Sequence, residues 1–415
     1  MIDDFKLIAV GSGKTGAYLV ALFEILKRQE LELTNSNLVK PEKETAEISS
    51  PKSDLDLLVD QITGTLLCYE YLCLDDGTMD DAHLFQEKTD LDSVRKLNRP
   101  RALVLVPSRI LVSQVTQVAK VMSHHCKMRI VGIHSKTKHV QELFLSPIDI
   151  LVTTPTSLLE LMRERQVTLS QVQRIVFDEA DTLFDRNFVK ETSQVIEQVR
   201  AISKSLARPI PMYSFTATFP QSLNPTLKTL FPSSTGELVR LTMPSLHHPV
   251  KKVHHVFIRL SQSTTKLNFL VETLKRLHGT TNKVLVFCNT QQMVQQVHTF
   301  LESKSYPAVC ISSSQSHAQV QSDLASFTSP SSSDHFQIAV STDMASRGLD
   351  TTQVGHIINF CFPTSIIDYV HRIGRTGRFG RGGRVTNIID KREMRKMGDV
   401  IDRVEMLVKR GLPLS

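Results

Sequence analysis

The sequence predicts an α/β protein made of two doubly wound parallel-sheet domains in tandem. Its 415 residues are too many for one ordinary hydrophobic core and suit two domains of roughly 150–200 residues. Short β-branched runs alternate with helical stretches, which is the pattern of parallel sheets covered by helices on both faces. A segment rich in proline and histidine, residues 244–252, interrupts this alternation. We therefore expect a first domain over residues 1–243, a linker over 244–252 and a second domain over 253–415.

The strand-like runs form two series, one on each side of the linker. The first comprises Phe5–Ala9, Ala102–Val106, Arg129–Ile133, Asp149–Thr153, Arg174–Phe177, Met212–Thr216 and Leu238–Thr242. The second comprises Val253–Leu260, Lys283–Cys288, Ala308–Ser312, Gln337–Ser341, His356–Phe360 and Arg384–Ile388. A long stretch, residues 30–97, separates the first helical segment, Thr15–Arg28, from the second strand. Because a short connection is usual there, this stretch predicts a surface insertion.

The composition is that of a globular protein with a basic charge. Hydrophobic residues make up 41% of the chain, and no apolar run is long enough to cross a bilayer, so we expect no membrane partner. A formal charge of +7 suits a polyanionic partner. The first residues are acidic, where a secretory or transit peptide would be basic. The cysteines lack the spacing of a zinc site, and we expect buried free thiols in a reducing compartment at Cys68, Cys73, Cys126, Cys288, Cys310 and Cys361.

A glycine-rich turn joins the first strand to the first helical segment. Backbone N–H groups and a helix N-terminus at such a turn can hold phosphate. Its lysine can reach the β- and γ-phosphates of a nucleotide, and its threonine can bind magnesium. The usual pattern has a small residue where this chain has Ile8, so a purely structural turn is the alternative. The predicted phosphate-binding residues are Gly11, Ser12, Gly13, Lys14 and Thr15.

An acidic turn, Asp178-Glu-Ala-Asp181, follows the strand Arg174–Phe177. It lies where we expect the carboxyl edge of a parallel sheet, and open α/β sheets bind their ligands at that edge. We expect Asp178 to hold magnesium, mainly through water, and Glu179 to orient or deprotonate an attacking water. A strand-end turn that only caps a helix is the alternative. The phosphate loop upstream favours the catalytic interpretation.

The acidic tetrapeptide and further segments resemble, in order, the motifs of the DEAD-box RNA helicase family over nearly the whole chain. Pro107–Gln114 and Thr154-Pro155 resemble two RNA-contact motifs, and Thr216-Ala-Thr218 resembles the motif that couples hydrolysis to domain closure. Ser341–Asp350 resembles the fifth motif, and His371–Arg378 matches the sixth in full. The resemblance implies two RecA-like domains and an ATP-dependent RNA helicase that clamps RNA and locally opens duplexes.

The resemblance also implies roles for single residues. Four are implied to contact the RNA backbone without reading the base sequence: Arg109, Thr154, Pro155 and Thr342. Three are implied to couple hydrolysis to closure: Thr216, Thr218 and His371. Asp350 is implied to hold the ATP ribose. The implied catalytic set, with ATP and Mg2+ as cofactors, is Lys14, Glu179, Arg375 and Arg378.

The chain departs from the family at its start. Family members carry upstream residues that read adenine, whereas only a few residues precede Gly11 here. We therefore expect either a truncated product or an incomplete adenine site that separates ATP from GTP poorly. A truncated or catalytically weak RNA-binding scaffold is the alternative function, although a scaffold has no need of Glu179 and Arg378.

Three short segments are most similar to the mitochondrial branch of the family, which assists assembly of the large ribosomal subunit. They are Asp178–Asp185, Ala217–Pro220 and Ser346–Thr351. This similarity implies a mitochondrial location, with a cytoplasmic or nuclear one as the alternative, and ribosomal precursor particles as partners. We expect the chain to act as a monomer.

Overall fold

The structure is a computed structural model of the chain. It describes residues 5–9, 14–38, 96–124, 126–134, 140–185, 188–218, 223–231, 238–242, 252–261, 264–277, 283–312, 315, 317–328, 336–343, 354–377, 382–412 and 414. The chain divides into two compact units. The first is Met1–Thr216 with Ser222–Met243, and the second is Ala217–Gln221 with Pro244–Ser415.

The first unit is built on a parallel sheet of seven strands. In chain order these are β1 (Phe5–Ala9), β2 (Ala102–Leu105), β3 (Ile130–Ile133), β4 (Ile150–Thr153), β5 (Arg174–Asp178), β6 (Met212–Thr216) and β7 (Leu238–Thr242). They lie side by side in the order β3-β4-β2-β5-β6-β1-β7. Every residue of β2, β4 and β6 is buried, as expected for strands covered on both faces.

Helices connect these strands. They are α1 (Lys14–Leu38), α2 (Arg109–Ser123), α3 (Val140–Leu143), α4 (Pro155–Arg163), α5 (Ala180–Leu183), α6 (Val189–Ser205) and α7 (Leu223–Leu230), with one 3-10 turn at Leu169–Gln171. Side-chain caps fix where α2 and α4 begin, because the hydroxyl of Ser108 accepts from Leu111 N at 3.2 Å and that of Thr154 accepts from Ser157 N at 3.3 Å. The apolar faces of α1 and α2 pack on the sheet and form one core with it.

The second unit is built on a parallel sheet of six strands. These are β8 (Val253–Arg259), β9 (Lys283–Cys288), β10 (Ala308–Ile311), β11 (Gln337–Thr342), β12 (His356–Asn359) and β13 (Gly383–Ile389), in the spatial order β10-β11-β9-β12-β13-β8. Its helices are α8 (Lys266–Leu277), α9 (Gln291–Ser303), α10 (His317–Thr328), α11 (Ile366–Ile373) and α12 (Lys391–Arg410). A reciprocal capping box between Asp390 and Glu393 fixes the start of α12.

These two sheets confirm the predicted fold class, and each predicted strand is present with ends that differ by no more than one residue. The start of the predicted insertion was wrong, because α1 continues past Arg28 and residues 30–38 belong to this helix. Glu30 is buried there and pairs with Arg101 at 2.6 Å, so the helix is held to the sheet well beyond its predicted end. Residues 39–95 and 243–251, which include most of the predicted insertion and linker, lie outside the described residues. Within the described part of the chain, no helix is both long and apolar enough to cross a membrane.

Candidate nucleotide and RNA site

The first helix begins at the predicted phosphate loop. β1 ends at Ala9, and α1 starts with Lys14 and Thr15. The free N–H groups of the first helical turn therefore lie at the carboxyl edge of the sheet, where they can bind an anion. Gly11, Ser12 and Gly13 lie outside the described residues.

The ends of three neighbouring strands meet at this edge. β1 pairs with β6 so that Ala9 lies beside Thr216, and β6 pairs with β5 so that Phe215 lies beside Asp178. Thr216 and Thr218 are both fully buried. The predicted phosphate loop, the acidic turn and the predicted coupling threonine Thr216 therefore all follow strands that end at the same edge.

Asp178 is a buried carboxylate, with 3% of its surface exposed. The Tyr18 hydroxyl donates to its Oδ2 at 3.0 Å, and Glu179 N donates to its Oδ1 at 2.9 Å. Burial raises the pKa of Asp178, while the positive charge of Lys14 acts in the opposite direction. Burial and the nearby Asp178 also raise the pKa of Tyr18. A cation bound beside Asp178 would favour its ionised form, so the carboxylate suits a metal or a metal-bound water.

Glu179 sits in a left-handed backbone conformation, with φ 51° and ψ 50°, immediately before α5. For a residue with a Cβ this conformation costs roughly 1–2 kcal/mol relative to a right-handed turn. The turn is held by hydrogen bonds from Thr182 N and Leu183 N to the Glu179 carbonyl, at 2.9 and 3.1 Å. Strained residues of this kind cluster at functional sites.

Three of the predicted RNA-contact residues lie at the same edge of the first sheet. β2 and β4 are neighbours, with Leu105 beside Thr153, and each is followed by a helix start. Arg109 is the exposed first residue of α2, while Thr154 caps α4 and Pro155 is its first residue. Two helix N-termini and one guanidinium thus lie side by side, an arrangement suited to backbone phosphates.

The second unit holds the remaining predicted site residues. Thr342 ends β11 and is buried, His371 lies in the last turn of α11, and Arg375 follows that helix and is buried. Asp350 and Arg378 lie outside the described residues.

Arg372 was not singled out from the sequence, yet it organises this part of the second unit. It is 1% exposed, and its Nε and Nη2 donate to the two carboxylate oxygens of Asp343 at 2.6 and 2.7 Å. It also donates to Asn359 Oδ1 at 3.1 Å, to Asn289 Oδ1 at 2.7 Å and to the Cys361 carbonyl at 2.6 Å. These acceptors lie at the ends of β9, β11 and β12, so one guanidinium ties α11 to three strand ends.

Two sequence signals could have pointed to the missed residues. Asn289 and Asp343 directly follow buried strands, as partners of a buried arginine would, but their convergence depends on the order of the strands in the sheet. Tyr18 lies one helical turn after Thr15, and its polar tip on an otherwise apolar helix face needs a buried partner.

Two family models match this chain. One, described as DEAD/DEAH box helicase, matches residues 5–226, and a second, described as Helicase conserved C-terminal domain, matches residues 265–380. The chain belongs to the DEAD/DEAH box helicase family. The resemblance seen in the motifs of both halves is thereby confirmed.

Relatives within the DEAD/DEAH box family are named as ATP-dependent RNA helicases, some of them as mitochondrial. The Pyricularia oryzae protein named "ATP-dependent RNA helicase MRH4, mitochondrial" is 29% identical over 412 residues, covering 90% of this chain and 57% of that protein. The Mus musculus protein named "Probable ATP-dependent RNA helicase DDX28" is 32% identical over 301 residues, covering 69% of this chain and 54% of that protein. The chain thus spans about half the length of the curated relatives that it matches.

Solved structures of DEAD-box proteins share the fold. A double-deletion form of Mss116p bound to ssRNA and AMP-PNP aligns with a TM-score of 0.69 at 17% identity, covering 99% of this chain and 74% of that one. S. cerevisiae Dbp5 bound to RNA and ADP BeF3 aligns with a TM-score of 0.59 at 23% identity, covering 76% of this chain and 82% of that one. At these identities the likeness concerns the fold alone, which is the expected pair of RecA-like domains.

Proposed function

We propose that this DEAD/DEAH box protein is an ATP-dependent RNA helicase, which couples ATP binding and hydrolysis to RNA clamping and local duplex unwinding. The observation that carries the proposal is the carboxyl edge of the first sheet. There the buried Asp178 ends β5 and the left-handed Glu179 follows it, two strands away from β1, after which α1 begins with Lys14 and Thr15. A phosphate-binding helix start beside an acidic turn is the arrangement that NTP hydrolysis requires.

The residues at this edge fit ATP with magnesium. Among the described residues no three His, Cys, Asp or Glu side chains cluster as a metal site, and Mg2+ usually takes only one or two carboxylates together with waters and substrate phosphates. The Thr15 hydroxyl and the Asp178 carboxylate would supply the protein side of such a site. Gly11, Ser12, Gly13 and Lys14 would hold the phosphates, and Asp350 the ribose. When bound, magnesium neutralises charge on the phosphates.

Each catalytic residue has a separate task in this proposal. Lys14 binds the β- and γ-phosphates, and Glu179 orients the attacking water or accepts its proton. Arg375 and Arg378 stabilise the negative charge that develops on the γ-phosphate. Arg372 is a positioning residue, because its bonds to Asp343 fix the helix after which Arg375 follows.

RNA would bind along its backbone. The two helix N-termini at Arg109 and at Thr154-Pro155 present N–H groups and a guanidinium, and Thr342 ends a strand of the second unit. Contacts of this kind position a strand without reading its bases, so we expect sequence-tolerant, salt-sensitive binding. Thr216, Thr218 and His371 would couple hydrolysis to closure of the two domains.

The cellular setting is part of the proposal. The relatives named mitochondrial support a mitochondrial location, and we propose ribosomal precursor particles as the source of the RNA. We also propose that the chain acts as a monomer, with domains over residues 1–243 and 253–415 joined by a linker over 244–252.

A steady-state ATPase assay with and without RNA tests the function. The chain should hydrolyse ATP faster with RNA, and two unrelated RNAs should serve equally. Lys14→Ala and Glu179→Gln should abolish the RNA-stimulated rate, while Glu179→Gln should bind RNA at least as tightly as the unsubstituted chain because it retains phosphate binding.

Matched controls exist on α6. Lys190→Ala and Glu197→Gln change exposed residues of the same types and should leave the rate unchanged. If the chain binds RNA but shows no RNA-stimulated hydrolysis, the scaffold interpretation replaces the helicase. Unchanged turnover in Glu179→Gln would remove that residue from the mechanism.

A further inference from the structure

Two cysteines of the second unit lie at neighbouring strand ends, outside the chemistry proposed above. Cys288 is the last residue of β9, and Cys361 follows β12, the strand beside β9. Both are free thiols, Cys288 buried and Cys361 partly exposed. One of the pair is thus accessible to a reagent from solvent, and its neighbour is shielded.

A local bulge brings the two residues side by side. Asn359 lies beside Phe287 in the ladder, so the next residue, Phe360, would ordinarily donate its N–H to the Phe287 carbonyl. Instead Cys361 N makes that bond, at 3.1 Å, and Phe360 N turns back to the Ile358 carbonyl at 3.1 Å. Phe360 is therefore an extra residue, and Cys361 takes the ladder position next to Cys288.

This placement suits a disulfide. Neighbouring strands lie about 4.8 Å apart, and disulfides join residues whose Cα atoms are about 4.4–6.8 Å apart. Cys288 belongs to the buried core of this unit and Cys361 packs against the same core, so both side chains lie on one face of the sheet. Little backbone movement is therefore needed to join the two sulfurs covalently.

The surroundings divide the pair into an attacking and a resolving thiol. Cys361 is partly exposed, whereas Cys288 is buried. The side chain of Cys288 lowers the pKa of Cys361 to about 7, and the Asn289 N–H and the Lys266 ammonium add to this effect, while burial and the Glu393 carboxylate oppose it. The neighbouring Cys361 and burial raise the pKa of Cys288. Because the thiolate is the nucleophile in disulfide exchange and Cys361 is the accessible thiol of the pair, Cys361 reacts first.

We propose that Cys288 and Cys361 form a site of reversible oxidation, at which a small disulfide such as glutathione disulfide converts the two thiols into one intramolecular disulfide. The Cys361 thiolate attacks one sulfur of the reagent, forms a mixed disulfide and expels the first glutathione thiolate. Cys288 then loses its proton to solvent, attacks the Cys361 sulfur and expels the second glutathione. Two protein thiols are oxidised, and one glutathione disulfide is reduced to two thiols.

The site adjoins the Arg372 centre. The Cys361 carbonyl accepts from Arg372 Nη1, and Asn289, directly after Cys288, accepts from Arg372 Nη2. Oxidation would therefore bridge two of the strand ends that hold α11. The proposal concerns the thiols alone and stands whether or not the chain is a helicase.

Mass spectrometry of the reduced chain treated with glutathione disulfide tests the proposal. After alkylation and proteolysis, the unsubstituted chain should yield a linked peptide pair containing Cys288 and Cys361, lighter by two hydrogens than the separate peptides. Cys288→Ser should instead accumulate a glutathione adduct on Cys361, because the resolving thiol is gone. Cys361→Ser should leave Cys288 unmodified. Cys310→Ser, which changes a buried thiol of the same unit, should form the same linked pair as the unsubstituted chain.

Three results would overturn the proposal. They are a stable Cys361 adduct without a linked pair in the unsubstituted chain, no reaction at either thiol, and a linked pair that forms only when urea has unfolded the chain. A measurement that needs no variant guards against misfolding of the serine chains. The rate of Cys361 alkylation by iodoacetamide should reach half its maximum near pH 7, and a half-maximum near that of an ordinary thiol, about 8.5, counts against the site.

Discussion

Asp178 in the first unit and Arg372 in the second are both almost completely buried at the carboxyl end of a parallel sheet, but their charges are satisfied differently. The donors to Asp178 are a tyrosine hydroxyl and one backbone N–H, and its pKa is raised. Arg372 has an aspartate, two asparagines and a carbonyl as acceptors. Burial shifts Asp178 towards its neutral form despite the positive charge of Lys14, whereas removing one partner of the Arg372–Asp343 pair leaves the other charge uncompensated.

The difference shows which centre can accept a ligand. The Arg372 centre is saturated by the chain, and its role is to fix α11 on the strand ends. The Asp178 centre has a carboxylate whose charged form would be favoured by an added cation. The two centres should therefore respond differently to substitution.

Arg372→Met should give the largest loss of stability. It leaves Asp343 and the two asparagines without their buried partner, and breaking a buried pair in this way costs roughly 3–5 kcal/mol of unfolding free energy. Urea unfolding followed by circular dichroism measures the loss, and amide hydrogen exchange should place it in β9, β11 and β12. Arg259→Met is the control, because Arg259 pairs with Asp402 and Glu405 but is 45% exposed, and we expect a loss of about 0–1 kcal/mol. Equal losses in the two variants would erase the contrast between buried and exposed pairs.

Acid should weaken the second unit by about 3 kcal/mol through the buried His356 and by less through the partly exposed His255. Burial lowers the pKa of His356 and His255 from 6.5 to about 4, and one pKa unit corresponds to about 1.4 kcal/mol. Between pH 6.5 and 4 the unfolded chain binds protons that the folded chain does not. The stability is therefore complete above pH 6.5 and is lost as the pH falls.

His356→Gln should remove the contribution of His356 to this pH dependence. Its amide can still pair with the Thr386 hydroxyl, which His356 contacts at 2.9 Å, so the folded structure should be kept. Urea midpoints at pH 7 and pH 4.5 give the measurement. His124→Gln, at an exposed position of the first unit, should keep the full slope. Asp178 has the opposite sign, because its raised pKa means that the stability contributed by its neutral form is lost as the pH rises from 3.8 through that pKa.

Tyr18→Phe should have a smaller effect, about 1–2 kcal/mol, because it deletes one hydrogen bond to a buried acid. That bond lowers the pKa of Asp178, so its loss should move the acidic limb of the ATPase pH profile to higher pH. Tyr306→Phe in the second unit is the control for the loss of a hydroxyl. If the acidic limb does not move, the ionisation of Asp178 does not control the ATPase rate.

Asp178→Asn should change the stability least, by less than about 1 kcal/mol or in the stabilising direction, because it removes a buried charge and keeps the shape. Magnesium affinity should still fall about 10–100-fold, as is usual when a group holding metal-bound water is lost. Isothermal titration in the presence of ATP measures it. Asp149→Asn is the matched control in the same sheet, since Asp149 pairs with the buried Arg101 at 3.2 Å and should cost several-fold more stability. Equal losses at the two aspartates would contradict the distinction drawn here.

The strands were predictable because short runs rich in β-branched residues, such as those around Val104 and Ile175, alternate with helical segments. The site residues that follow these strands were predictable for the same reason. Contacts between distant parts of the chain were not, since they depend on strand order. Glu30 meets Arg101 across 71 positions, and Arg372 meets Asn289 across 83. The catalytic, binding and coupling roles of all the site residues stay predictions, and Asp350 and Arg378 lie outside the described residues.

The left-handed conformation of Glu179 lowers the stability of the fold at a position whose carboxylate is proposed to act in hydrolysis. Glycine adopts this conformation without the penalty that a Cβ brings, so Glu179→Gly should relieve about 1 kcal/mol of strain while discarding the carboxylate. A library of variants selected only for thermal stability would therefore enrich glycine at residue 179. It would lose ATPase activity, which such a selection does not measure. The presence of glutamate in this strained turn is what one expects where selection acts on turnover and not on thermal stability.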